Sequence, residues 1–279
     1  MNKLFSSTTL ALALLLGAQS AWADLMLYPT RVELENKQRA AQVELINRGS
    51  KPETYRISIV NRRMTETGEI VEAKEVLPGE QFADKLLTYS PRQVTLQPDL
   101  GQTVRISARK PADLAVGEYR SHLQFDRVAD AEGQSSLEAM AKPEEGQIAI
   151  VLQALVGASI PVILRHGDTA ATATLDGLKI EPGTDKKATP MLVFAIHREG
   201  NRSVYGDLVA EFSAAGAKPM EVARVAGVAV YVPNAMRQAR MPMTLPEGTL
   251  LKNGTLTLRF STRPDAGSKL LAQAVLALP

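Results

Sequence analysis

Residues 148–164 read IAIVLQALVGASIPVIL, and every second residue of this stretch is apolar. Because side chains alternate between the two faces of a β-strand, the pattern predicts one long strand with a continuous apolar face. That strand would span roughly 55 Å at about 3.3 Å per residue, whereas ordinary strands have about five or six residues. It extends beyond the sheet of any one small sandwich, so we predict that part of it is uncovered.

The residues near the middle of this strand predict that it lies at the edge of a sheet. Pro161 cannot donate a hydrogen bond to a ladder, and the small run Gly157–Ser159 weakens pairing just before it. A long apolar edge is normally an aggregation hazard. We therefore predict that another chain pairs with this edge and receives its side chains in a groove.

Residues 1–23 have the features of a secretory signal peptide. Lys3 precedes an apolar stretch from Leu10 to Leu16, and Ala21–Ala23 forms a small-x-small cleavage pattern. The apolar core is too short to span a bilayer, and no later stretch is both long and apolar enough. The mature chain is expected to begin near Asp24, outside the cytoplasm and without membrane insertion.

Short alternating runs separated by turn residues continue on both sides of the long strand, and helical periodicity is nearly absent. The runs are Leu25–Glu35, Ala41–Asn47, Glu53–Arg62, Arg92–Gln97, Thr103–Ala108, Glu118–Val128, Thr172–Ile180, Met191–Arg198, Ser203–Phe212, Glu221–Val232, Thr255–Ser261 and Lys269–Leu278. The sequence predicts an all-β protein of two immunoglobulin-like β-sandwich domains, residues 24–165 and 166–279, in an L-shaped arrangement. Residues 199–202 are predicted to close a hairpin.

The composition argues against an enzyme, a metal or cofactor protein and a nucleic-acid binder. The absence of cysteine removes disulfides, thiolate catalysis and cysteine-type zinc sites. His122, His166 and His197 lie in separate segments without a metal-binding or nucleophile motif. The 32 basic residues nearly balance the 30 acidic ones and are scattered. A periplasmic glycan-active enzyme would need paired carboxylates, and the sequence offers none.

Three arginines lie near the predicted cleft between the domains. Arg31 and Arg120 have the parity opposite to the core residues of their strands, and Arg165 closes the long strand. Each can equally be read as an exposed charge. If they converge, guanidinium groups would bind a chain-terminal carboxylate in two hydrogen bonds and fix the register of an incoming strand.

Several segments resemble the periplasmic chaperones of the chaperone/usher pilus pathway. They are Leu27–Val32, Val43–Asn47 before a Gly/Pro turn, Ser90–Leu96 with Pro98, Val104–Ile106, and Gly117–Leu123. The resemblance lies in their order and spacing, covers about residues 24–166, and extends to the C-terminal domain only in outline. The absence of cysteine argues against the long-loop subgroup that carries a disulfide and favours a divergent or archaic-type branch.

The resemblance implies a periplasmic chaperone for pilus or fimbrial subunits, which are sandwiches that lack their last strand. The long strand corresponds to the one that these chaperones lend to the subunit. The side chains expected to enter the subunit groove are those of Leu152, Ala154 and Val156, extended by Ile148 and Ile150. The subunit then passes to an outer-membrane usher, as part of fimbrium assembly and cell wall organization.

The resemblance also implies an anchor for the C-terminal carboxylate of the subunit. In the family, an arginine of the first strand and a lysine of the lent strand supply it. Arg31 matches the arginine, but the lysine position falls on Pro161, and residues 147–165 contain no lysine. We therefore expect Arg120, on the neighbouring strand, to supply the second charge beside Arg31 and Arg165.

A different class of protein remains open, namely a structural or adhesive two-sandwich surface protein that self-assembles through its edge strand. Such a protein polymerises alone, whereas a chaperone forms one-to-one complexes with an unstable subunit. The sequence names neither the subunit nor the pilus type. It also leaves open whether the free edge is masked in a self-capping dimer.

Overall fold

The computed structural model describes residues 25–35, 37–128, 157–183, 189–214, 217–246 and 249–279. This part of the chain is built of strands, with single 3₁₀ turns at Asp84–Leu86 and Pro264–Ala266, and contains no helix able to cross a membrane. The strands are β1 Leu25–Tyr28, β2 Val32–Leu34, β3 Ala40–Asn47, β4 Glu53–Val60, β5 Arg62–Met64, β6 Ile70–Glu72, β7 Leu87–Ser90, β8 Gln93–Leu96, β9 Gly101–Ala108, β10 Gly117–Arg127, β11 Gly157–His166, β12 Ala171–Glu181, β13 Met191–Gly200, β14 Val204–Ala214, β15 Met220–Val230, β16 Met236–Pro242, β17 Gly254–Ser261 and β18 Leu270–Leu278.

The first half of the chain forms an N-terminal sandwich. Its sheets have the orders β1-β3-β9-β7 and β2-β11-β10-β4-β8, and a small hairpin of β5 and β6 extends beside them. Leu34, Leu45, Ile106 and Phe125 are fully buried between the sheets. The predicted run Leu25–Glu35 is two strands in different sheets, because the chain crosses over at Pro29, which cannot donate to a ladder.

The second half forms a C-terminal sandwich from the sheets β12-β13-β16 and β15-β14-β17-β18, which confirms the all-β fold. The predicted hairpin at residues 199–202 is wrong, because β13 and β14 belong to different sheets and the turn crosses between them. Arg198 holds this crossing turn by donating to the carbonyl oxygens of Gly200 and Arg202. The alternating runs did not include β6, β7 or the edge strand β16.

β11 is the described part of the predicted long strand. It pairs antiparallel with β10 along its whole length, whereas β2 pairs with it, in parallel, only from Val162 to Leu164. From Gly157 to Pro161 it therefore has β10 on one side and, among the described residues, no strand on the other. The predicted edge is confirmed for these residues, while Ile148, Ile150, Leu152, Ala154 and Val156 lie outside the described residues.

Candidate functional site at the junction of the two sandwiches

Strand alternation brings polar residues of β10 to the face that meets the C-terminal sandwich. Tyr119 and Leu123 belong to the N-terminal core, so Glu118, Arg120 and His122 lie on the opposite face. All three of these polar residues are buried. Buried charge is costly unless it is paired, so the contacts of this face decide what it can do.

The junction itself is packed and hydrogen-bonded. Met64 and Ile163 of the N-terminal sandwich form one buried apolar cluster with Ala229 and Tyr231 of the C-terminal sandwich. The amide of Asn234 donates to the carbonyl oxygen of Met64 at 3.0 Å. The two sandwiches therefore meet in a defined arrangement.

Arg165 links the two sandwiches through carboxylates. Its Nε donates to Glu118 at 2.9 Å, and its Nη1 donates to Glu33 at 2.7 Å and to Glu35. Glu118 in turn accepts hydrogen bonds from the backbone N–H and the hydroxyl of Ser203. Burial would lower the pKa of Arg165, but its bonds to Glu33 and Glu118 outweigh burial and raise it.

The surroundings of Arg165 do not favour the anchor role predicted from the sequence. Three carboxylates already bind this guanidinium, and an incoming carboxylate would meet their negative charge. Arg165 is better described as a structural tie, since its side chain is only 4% exposed. The sequence predicts on which face of a strand a residue lies, but it does not predict that these carboxylates pair with Arg165.

Arg31 directly precedes β2 and lies against two aromatic rings. Its Nε donates to Glu33 at 2.5 Å and its Nη1 to the hydroxyl of Tyr231 at 2.9 Å. Its guanidinium carbon is 4.3 Å from the centroid of the Tyr205 ring, a cation–π contact. The remaining nitrogen, Nη2, is buried and has no hydrogen-bond partner in the described part of the chain.

Glu33 stays ionised beside these arginines. Burial raises the pKa of its carboxyl group, but Arg31 and Arg165 oppose burial and lower the pKa to about 2. One carboxylate is thereby shared between the two guanidinium groups.

Arg120 lies against the ring of Tyr231 and has no carboxylate partner among the described residues. Its guanidinium carbon is 4.2 Å from the centroid of Tyr231. Its Nε and Nη1 are buried without a hydrogen-bond partner among the described residues. Burial lowers the pKa of Arg120, and the nearby Tyr231 and Glu118 only partly oppose this. A buried guanidinium with unpaired donors attracts an anion.

His122 adds no positive charge to this region at neutral pH. Burial is the largest cause of the fall in its pKa to about 3, and Arg120, Arg62 and Arg31 lower it further. The imidazole is therefore neutral, and its Nδ1 has no hydrogen-bond partner in the described residues.

A cleft of about 750 Å³ opens beside Arg31, between the two sandwiches. Tyr28 and Thr30 line it from the N-terminal side, and Tyr205, Arg263 and Lys269 line it from the C-terminal side. No group of His, Cys, Asp or Glu in the described ranges is arranged to hold a metal ion. Basic side chains, among them Arg31, Arg263 and Lys269, outnumber the acidic ones in the lining of the cleft, which are Glu33 and Asp265.

The structure brings Arg31 and Arg120 together around one side chain that the sequence did not indicate. Tyr231 lies 200 residues beyond Arg31, and its ring is 5.4 Å from the Arg31 guanidinium carbon and 4.2 Å from that of Arg120. A tyrosine after an apolar run carries no sequence signal for such a contact. The pairing of Glu118 with Ser203 was missed for the same reason.

Comparisons with known proteins give only distant likenesses. No protein-family model and no curated protein matches the chain. The YadV chaperone structure is 13% identical, with 92% of this chain and 100% of that chain covered and a TM-score of 0.46. The CupB2 chaperone of Pseudomonas aeruginosa is 11% identical, with 91% of this chain and 100% of that chain covered and a TM-score of 0.45. The class 5 fimbriae chaperone CfaA is 15% identical, with 91% of this chain and 99% of that chain covered and a TM-score of 0.43. Likenesses this distant do not establish what the present chain binds.

Proposed function

We propose that this protein is a periplasmic chaperone that captures pilus or fimbrial subunits by donor-strand complementation and delivers them to an outer-membrane usher. The observation that carries the proposal is the free side of β11 from Gly157 to Pro161, which continues the apolar segment 148–156. Main-chain groups on such an edge pair with an added strand, and alternate side chains enter its groove. The proposed role needs no catalytic group and no cofactor.

The position of β2 supports a specific end point for the added strand. β2 occupies the free side of β11 from Val162 onwards, so a strand beside Gly157–Pro161 must stop where β2 begins. Arg31 directly precedes β2. A strand that runs parallel to β11 therefore ends with its carboxylate next to Arg31.

Unpaired donors on Arg31 and Arg120 support their role as the carboxylate anchor. Nη2 of Arg31 and Nε and Nη1 of Arg120 have no partner among the described residues. Hydrogen bonds between a guanidinium and a carboxylate are about twice as strong as neutral ones. In this proposal Arg120, from β10, takes the place of the lysine that is absent from the strand containing Pro161.

The sequence pattern supports the side chains proposed for the subunit groove. Ile148, Ile150, Leu152, Ala154 and Val156 share the even-numbered parity of Ile160, Val162 and Leu164, which are buried in the core. An extended chain keeps such residues on one face. Burying the five in a subunit would contribute on the order of 5–12 kcal/mol before ordering costs.

Co-expression in the periplasm with a pilus subunit that lacks its last strand tests this proposal. We expect soluble one-to-one complexes with the wild type and strongly reduced subunit recovery with Arg31→Ala or Leu152→Asp. Arg48→Ala is the matched control, because Arg48 lies on the exposed surface. Equal recovery with all the variants would overturn the proposal. Polymerisation of the protein by itself would favour a self-assembling surface protein instead.

A further inference from the structure

Tyr231 takes one of the hydrogen-bond donors of Arg31. This residue follows β15 of the C-terminal sandwich, and its hydroxyl accepts the hydrogen bond from Nη1 of Arg31. Its ring covers the guanidinium of Arg120. The side chain is itself buried, with 7% of the residue exposed.

Each nitrogen of the Arg31 guanidinium is either hydrogen-bonded or buried in the described part of the chain. Nε is bonded to Glu33, Nη1 is bonded to Tyr231, and Nη2 is covered. A carboxylate that takes the Nη1 hydrogen now bonded to Tyr231 must replace the Tyr231 hydroxyl. At Arg120, Nε and Nη1 are likewise buried.

Of the two partners of Arg31, Tyr231 forms the weaker hydrogen bond. Glu33 is ionised and is also held by Arg165 at 2.7 Å. The phenol hydroxyl of Tyr231 is neutral, so its bond to the guanidinium is weaker than that of a carboxylate. An incoming carboxylate would replace a weaker acceptor by a stronger one.

We propose that Tyr231 is a built-in competitor for the anchor, and that a ligand carboxylate binds by displacing the Tyr231 hydroxyl from Arg31. This inference rests on the proposed function, because it requires Arg31 to be the anchor. Rotation of the ring also uncovers Arg120, so one movement makes both guanidinium groups available.

The backbone beside Tyr231 supports a movement of the side chain rather than of the chain. Val232 donates its backbone N–H to the hydroxyl of Ser203 at 3.1 Å. Nε of Arg198 donates to the carbonyl oxygen of Asn234 at 2.8 Å. These bonds hold the segment after β15 while the phenol ring rotates about its own torsion angles.

Binding of paired peptides to the full chain tests the inference. The probe is an alternating Val/Thr peptide with a free C-terminal carboxylate, and its control is the same peptide with a C-terminal amide. We expect Tyr231→Phe to bind the carboxylate peptide about three- to tenfold more tightly, since no hydroxyl must be displaced, and to bind the amide peptide unchanged. Tyr89→Phe, remote from the junction, should match the wild type with both peptides.

The possible outcomes separate the inference from the proposed function. Unchanged or weaker binding of the carboxylate peptide by Tyr231→Phe would overturn the competitor role, and weaker binding would make the hydroxyl a donor to the ligand. Loss of the carboxylate preference in Arg31→Ala is expected. A wild type that binds both peptides equally would overturn the anchor and the competitor together.

A spectroscopic measurement checks the same movement without a variant protein in the binding assay. With 3-fluorotyrosine in place of tyrosine, the ¹⁹F signal of Tyr231 is the one missing from Tyr231→Phe. We expect this signal to shift when the carboxylate peptide is added and to remain in place with the amide peptide. A signal that stays in place with both peptides, while the carboxylate peptide binds, would contradict the displacement.

Discussion

Replacement of Arg165 by methionine should strongly destabilise the protein. The substitution keeps much of the side-chain volume but leaves Glu118, whose side chain is 1% exposed, without its guanidinium partner. Removing one partner of a buried ion pair costs about 3–5 kcal/mol, because the other charge stays buried and unpaired. The lost bonds to Glu33 and Glu35 add less, since those side chains are about one-third exposed.

Urea unfolding followed by far-ultraviolet circular dichroism measures this cost. We expect the free energy of unfolding of Arg165→Met to fall by about 3–5 kcal/mol. Adding Glu118→Gln should recover at least about 1 kcal/mol, because the neutral amide needs no counter-charge. Arg48→Met, which breaks an exposed pair with Asp99, should not change the midpoint measurably. A loss below about 1 kcal/mol for Arg165→Met would refute the reasoning that this pair is buried and essential.

Two further predictions concern a buried imidazole and a crowded backbone. The pKa of His122 is about 3 in the folded chain, whereas the ordinary pKa of histidine is 6.5. Below pH 6.5 the unfolded chain therefore binds more protons than the folded chain does. The stability that is present above pH 6.5 is lost as the pH falls. Between pH 6 and 4 the wild type should lose up to about 1.4 kcal/mol per pH unit more than His122→Gln, and identical pH profiles in chemical denaturation would contradict this. A Cβ at Gly206 would lie 2.0 Å from the carbonyl oxygen of Ser261 on the neighbouring strand. Gly206→Ala should therefore cost at least about 2 kcal/mol in urea unfolding, and a wild-type midpoint would show that β14 and β17 are not so close.

The alternating runs predicted most of the strands because each sandwich has one apolar core, and every strand contributes a face to it. β16 was missed although it alternates, with Gln238 and Arg240 exposed and Met241 buried between Arg240 and Pro242. Its outward side chains, such as Arg240, are exposed to solvent. The crossing at residues 199–202 resembled a hairpin because turn residues indicate that the chain reverses direction. They do not indicate which sheet the next strand joins.

The sequence predicted on which face of their strands Arg31 and Arg120 lie, but not which residues contact them. Alternation correctly put Arg31 and Arg120 on the side away from the core, and both lie at the junction. Whether a guanidinium is free depends on residues distant along the chain. Glu118 and Glu33 bind Arg165, whereas Tyr231 covers Arg120, and no local pattern distinguishes these two cases.

Amide hydrogen exchange along β11 tests the central claim most directly, since the claim is that the free side of this strand receives a strand from another chain. In the unbound protein, the amides of Gly157–Ile160 that point away from β10 should exchange quickly. On addition of a subunit that lacks its last strand, those amides should become protected, while those of Val162–Leu164 beside β2 should not change. Full protection of Gly157–Ile160 in the unbound monomer, or no gain in protection in the complex, would contradict the account.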